Sequence, residues 1–212
     1  MIEHLEIRPF TGRTYRLASD GDTNQATLAG MGIVDPAAML AILRASRPDD
    51  PNRFLNGPFA PKPNYTPRKS RYTDGTLPVF YSALERNTTR AEMLHHNRLR
   101  LLGVTSVPGM SVFMREVECK FDGQVKDLRP EVQNIPHLVS EEADGAYDTC
   151  NAIAAEARAE GLYGLLAPSA RQPDGSCLPV FTRVALSDPV LGAWVTFTHD
   201  AAIDTVLCNE VA

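Results

Sequence analysis

Two hydrophobic periods alternate along this chain. Leu77 to Ala83 (LPVFYSA) is apolar and rich in aromatic and β-branched residues, the composition of a largely buried strand. Two-residue alternation puts Val79, Tyr81 and Ala83 on one of its faces. Ser111 to Phe121 reads the same way: Phe113, Val117, Cys119 and Phe121 share a side that Arg115 interrupts, with Glu116, Glu118 and Lys120 opposite. Phe121-Asp122-Gly123-Gln124 then signals a hairpin turn into a strand over Val125–Leu128. Shorter strands are expected at Thr14–Ala18, Leu162–Ala167 and Cys177–Leu186, and short edge strands at Trp194–Thr198 and Ile203–Leu207.

The helical period is clearest over Thr89–Leu102, where Gly103 supplies the stop. Thr89-Arg90-Ala91-Glu92 has capping-box spacing, so Glu92 has a structural role ready to hand. An alanine-rich helix follows over Asp148–Glu160, closed by Gly161, with Cys150, Ile153, Ala154 and Ala157 on its inner face. A third helix is expected over Pro36–Leu43, capped by Asp35 with Pro36 in its first turn. Pro48 to Pro67 carries Pro51, Pro58, Pro61 and Pro63 between its ends and reads as a long irregular segment. Such loops are functional or disordered, and this one leads straight into Arg71, which favours a substrate-lining loop over a linker. The mixture lacks regular βαβ alternation. It predicts an α+β fold with a mainly antiparallel sheet and flanking helices. One domain over residues 1–212, with 187–212 packed on it, suits this length.

Charge and cysteine usage narrow the function. A formal net charge of −5 argues against direct nucleic-acid binding. Against that background Arg68-Lys69-Ser70-Arg71 is a local basic run, ordinarily a solvated loop. The four cysteines, Cys119, Cys150, Cys177 and Cys208, form no CxxC or Cys/His spacing, so no metal is expected. Reduced thiols fit a cytoplasmic protein. The segment MIEHLEIRPFTGR has charges where a secretory signal needs an apolar run. No apolar stretch nears the roughly 20 residues of a membrane span. GxGxxG, GxxxxGK[ST] and GxSxG are all missing. His95 and His96 are adjacent on a helix and point apart, a poor metal pair.

What remains is the stretch Ser70–His96. An arginine clamps phosphate with its planar fork, a tyrosine offers a stacking face with a polar tip, and a carboxylate stabilises a cationic transition state. Arg71, Tyr81 and Glu92 therefore suit an anionic, aromatic ligand. Each has a plainer reading: solvated loop, core tyrosine, capping glutamate. Ser169, after Pro168 at a strand end, is equally a turn serine.

Ser70-Arg71-Tyr72, then Pro78-Val79-Phe80-Tyr81-Ser82-Ala83, then Ala91-Glu92 through His95-His96, resembles the core of the RES domain family. Leu166-Ala167-Pro168-Ser169-Ala170-Arg171 resembles that family's Pro-Ser segment, and Tyr15-Arg16 its Tyr/Trp-Arg pair. The resemblance covers about residues 13–186. Ser70 stands where the family usually has glycine, Tyr72 where it has tryptophan, and Thr73 where asparagine is common.

The resemblance implies an ADP-ribosyltransferase-like fold and a toxin of a type II toxin–antitoxin pair. Such toxins degrade NAD, as glycohydrolases with water or as phosphorylases with inorganic phosphate. NAD is then the substrate, and no cofactor is needed. The implied catalytic residues are Arg71, Tyr81, Glu92 and Ser169. Tyr15, Arg16, Lys69, Tyr72 and Arg171 are implied to bind NAD. The implied partner is an Xre-like antitoxin whose C-terminal part blocks the site, and a homodimer within the complex is compatible with it. ADP-ribosyl transfer to a protein or nucleic acid, or a degenerate nucleotide- or partner-binding domain, are the alternatives.

Overall fold

The computed structural model describes residues 1–19, 34–35, 38–39, 42, 50–60, 68–103, 111–141, 145–200 and 202–211. Its frame is β1 (Arg8–Ser19) paired antiparallel with β3 (Ser111–Asp127) along its whole length, from Arg8↔Val125 to Ser19↔Met114. The other edge of β3 carries β6 (Leu186–Asp200) antiparallel and, further along, β4 (Gly164–Pro168) parallel. From β4 the sheet continues to β5 (Ser176–Val180), then β2 (Phe80–Ala83), then back to β1 through Tyr15↔Ala83. These pairings close a ring of β3, β1, β2, β5 and β4. β6 and β7 (Thr205–Val211) extend from it. The fold is α+β with a mainly antiparallel seven-stranded sheet, as the sequence pattern predicts.

Alternation decides which residues fill the ring. Phe80, Val117, Cys119, Phe121, Val125, Leu178 and Val180 form one buried cluster inside it. α1 (Asn52–Asn56) adds Phe54 and Leu55 to that cluster, so this part of the proline-rich stretch is packed rather than irregular. Residues 48–49 and 61–67 lie outside the described residues, as does most of the helix expected at 36–43. The cap predicted there is made, Ala38 N–H donating to Asp35 Oδ1 at 2.9 Å.

On the outer face, α3 (Ala146–Ala159) lays Cys150, Ile153, Ala154 and Ala157 against Leu165 and Ala167. Gly161, at φ +77°, ends this helix as predicted, and Leu162 N–H returns to Ala157 O at 3.0 Å. α2 (Arg86–Gly103) packs its Leu101 against Leu17, Met114, Val195 and Phe197.

Three expectations need correction. No hairpin occurs at Asp122-Gly123. β3 runs straight through it, with Gly123 opposite Phe10 and Thr11 Oγ1 donating to Asp122 Oδ1 at 2.8 Å. Long-range pairing with β1 overrides the local turn signal. The glycine serves close approach instead, because a Cβ there would lie 2.4 Å from Tyr163 Cδ2. The strand expected over Cys177–Leu186 stops at Val180, where Phe181 N–H turns to Tyr163 O and Arg183–Ala185 form a 3₁₀ turn. Trp194–Thr198 is no edge: β6 lies between β3 and β7, and β7 is the edge.

Gly123→Ala should therefore destabilise the protein by about 1–3 kcal/mol through overpacking on Tyr163. The urea unfolding midpoint measures it, and adding Tyr163→Ala to the variant should recover most of the loss.

Candidate active site

α2 starts at Arg86, four residues earlier than the capping-box reading, with Thr89 as its N-cap, requires. Glu85, just before it, ties the helix start to its surroundings. Its Oε2 accepts Thr88 Oγ1 at 2.7 Å and the Ser176 amide at 3.0 Å, while its carbonyl accepts Thr89 N–H at 3.2 Å. Glu92 thus sits in the second turn and its carboxylate caps nothing in its own helix. Instead Oε1 accepts Ser169 Oγ at 2.6 Å and the Ala170 amide at 3.1 Å, with the Cys177 thiol at 3.8 Å. Among the described residues no hydrogen bond reaches Oε2. One oxygen is thus held by the Ser169–Ala170 loop.

The chain folds locally to aim Ser169. Its Oγ accepts the Arg171 and Gln172 amides at 3.1 and 3.0 Å, and its own N–H donates to Gly175 O at 2.9 Å. With two amides donating to it, the hydroxyl proton is directed at Glu92. Ser169 is 8% exposed, so this is a protected contact.

Tyr81 lies on the same sheet face. Pairing Ala83↔Cys177 and Tyr81↔Pro179 puts Tyr81, Ala83 and Cys177 on one side, and Cys177 touches Glu92. The ring is 37% exposed, whereas Phe80 beside it is fully buried. The Tyr72 amide donates to the Tyr81 phenol at 2.9 Å, and Ser70 Oγ lies 2.7 Å from the same oxygen. Desolvation lifts this phenol above its ordinary pKa, so it stays neutral at pH 7. Ser70, in the position where a glycine was expected, is thus a direct partner of Tyr81.

Arg71 is gripped by a single segment. It donates to the carbonyls of His137 (3.1 Å), Leu138 (3.2 Å) and Ser140 (2.8 Å), and its guanidinium lies 5.5 Å from the Tyr147 ring centre. Arg171 forms a two-pronged ion pair with Glu141, Nη2 to Oε2 at 2.8 Å. Both arginines act electrostatically on His96, which stands one turn beyond Glu92 on α2. Burial lowers the His96 pKa, Glu92 raises it, and Arg171 and Arg71 lower it. Geometry links Arg171 to Glu92 through Ser169: the Arg171 amide donates to Ser169 Oγ, which donates to Glu92.

The other expected binding residues are not all brought there. Arg16 pairs across from Val117 and so faces the ring interior, 4.9 Å from the Phe80 ring centre. It donates to Tyr81 O at 2.9 Å from behind, and burial pulls its guanidinium down to about 10. Tyr15 is on the opposite face of β1, covered by the Arg86 guanidinium at 5.0 Å. Tyr72 is 2% exposed in the core under α3, so it is a packing residue rather than a stacking surface. Lys69 pairs with Asp148 at the surface.

The profile of the RES domain matches residues 41–200, well over half of the chain. The chain belongs to the RES domain family. The match begins beyond Tyr15 and Arg16; Arg16 faces the ring interior, whereas Tyr15, paired with Ala83, shares the sheet face of Tyr81 and Cys177 but lies under Arg86. Among curated proteins no match is found. Among solved structures, a chain of the crystal structure of the M. tuberculosis MbcT–MbcA toxin–antitoxin complex is similar, with 14% identity and a TM-score of 0.46, covering 88% of this chain and 86% of that one.

Sequence reasoning missed Tyr147, Glu141 and Arg158 in this RES domain. Arg158 stacks 4.2 Å from the Phe181 ring centre and donates to Pro78 O at 3.3 Å, near Tyr81. Their contacts with the Ser70–Tyr81 turn are long-range, so the sequence carried no signal for Tyr147 and Arg158. For Glu141 there was none either. No group of three or more metal-ligating side chains occurs among the described residues, and no described helix is long and apolar enough to cross a membrane.

Two outcomes follow from this geometry. Glu85→Ala leaves the Ser176 amide without its acceptor and should cost about 1–2 kcal/mol in chemical unfolding. In NMR titrations His96 should have a midpoint below the ordinary value of about 6.5, because burial disfavours the imidazolium. Glu92→Gln removes the charge that raises it and should lower the midpoint further.

Proposed function

We propose that this RES domain is the toxin of a type II toxin–antitoxin pair and depletes NAD by cleaving the nicotinamide–ribose bond. The observation that carries the reading is Glu92, whose Oε1 is fixed by Ser169 and Ala170.

In the reaction the C–N glycosidic bond breaks and its electron pair leaves with nicotinamide. The pyridinium becomes a neutral pyridine, so no acid is needed at the leaving group. Positive charge develops at the ribose anomeric carbon, as in glycoside cleavage. The Glu92 carboxylate stabilises that charge and takes a ribose hydroxyl at Oε2. Ser169 keeps the carboxylate in place without reorganisation during the reaction. Tyr81, its phenol neutral and bonded to Ser70 and Tyr72, presents its ring beside the nicotinamide ribose. Arg71 and Arg171 hold the pyrophosphate. Water adding at the anomeric carbon gives ADP-ribose and a proton, and phosphate gives the corresponding ribosyl phosphate. An Xre-like antitoxin covering this site is the partner in the same reading.

The test is nicotinamide release from NAD by folded, antitoxin-free protein, with and without phosphate. Release is expected. Glu92→Ala should lower it by about 10²–10³-fold, the scale for losing a preorganised electrostatic group, with an unfolding midpoint near wild type. Background release from folded wild type contradicts the proposal. Label from NAD appearing on protein points to ADP-ribosyl transfer instead.

A further inference from the structure

Both arginines assigned to the pyrophosphate are already occupied, and by the same short segment. Residues 136–140 give Arg71 three carbonyls, and the segment is closed on itself by Ser140 Oγ donating to Pro136 O at 2.9 Å. The next residue, Glu141, meets Arg171 fork to fork. That is the geometry in which arginine binds phosphate. The Arg171 side chain is 16% exposed and Glu141 is 55% exposed, so the carboxylate approaches from solvent and can leave the way it came. Arg171, His95 and Arg71 all favour the charged form of Glu141, and its pKa is lowered. The spot it occupies is one the protein has made favourable for an anion.

We propose that Glu141 is an internal competitor for the anion site of Arg171, an autoinhibitory contact that a pyrophosphate-bearing ligand must displace. This rests on the reading that Arg171 faces the pyrophosphate of the dinucleotide. In the free protein the Glu141 carboxylate fills the fork of Arg171. On binding, a phosphoryl oxygen pair takes its place and Glu141 turns out into water. Arg71 keeps its carbonyl partners, since these carry no charge to compete with the ligand. The contact therefore sets ligand affinity and leaves the Glu92–Ser169 pair untouched. It also discriminates between ligands: a neutral nucleoside, unable to replace the carboxylate charge, leaves Glu141 in place.

The experiment is calorimetric titration of the full chain with inorganic pyrophosphate and with ADP-ribose, comparing wild type, Glu141→Gln, Arg171→Ala and the double variant. Neither ligand requires turnover, so the outcome is separate from whether NAD is cleaved. Glu141→Gln should bind both ligands about fivefold more tightly, the scale of losing an exposed ion-pair competitor. The gain should vanish when Arg171 is also replaced. Unchanged affinity in Glu141→Gln overturns the proposal, and so does a gain that persists without Arg171.

Discussion

The hydrogen bond from Ser169 to Glu92, seconded by the Ala170 amide on the same oxygen, joins the second turn of α2 to the loop after β4. It spans 77 residues of sequence. A charged acceptor makes such a bond short and strong. Its geometry depends on a chain of fixed groups. The Arg171 and Gln172 amides orient the hydroxyl, Gly175 O holds the Ser169 amide, and Glu85 pins the start of α2 to the Ser176 amide. The ring of strands brings these pieces together, since β2 and β5 are neighbours and their ends launch α2 and the Ser169–Gly175 loop.

α2 is held as firmly on its other side. Arg86 and Arg90 reach the carboxylate of Glu116, which is 1% exposed, and Arg90 also pairs with Glu210 on β7 at 2.7 Å. A carboxylate buried that deeply needs its cations, because removing them would leave an uncompensated charge. Thr89 Oγ1 donates to Tyr15 O at 3.0 Å, fastening the same helix to β1. The helix bearing Glu92 is therefore clamped to both the ring and its extension, the rigidity that a preorganised carboxylate requires.

Periodicity made α2, α3 and the strand ending in Tyr81 legible, because each buries one face and that face shows as a regular pattern. The Asp-Gly turn was misread because local turn chemistry is weaker than seventeen residues of strand pairing. Residue spacing could not distinguish a capping Glu92 from a catalytic one. The helix start decides only the capping question: the residue before α2 is Glu85, four residues ahead of Thr89, so Glu92 is not a cap. The family resemblance put Glu92 and Ser169 in one site, but the bond between them came only with the fold, since contacts at that separation leave no mark in local pattern. The parting of Tyr15 and Arg16 onto opposite faces was readable from strand alternation alone. Glu141 lies in weakly patterned sequence, and only the fold brings it to Arg171.

The central claim is that Ser169 acts through Glu92 and not as an independent group. A double-mutant cycle on kcat/KM for nicotinamide release, using Ser169→Ala and Glu92→Ala, tests it most directly. The account predicts that Ser169→Ala slows the wild type but costs nothing further once Glu92 is alanine. Additive losses would contradict it.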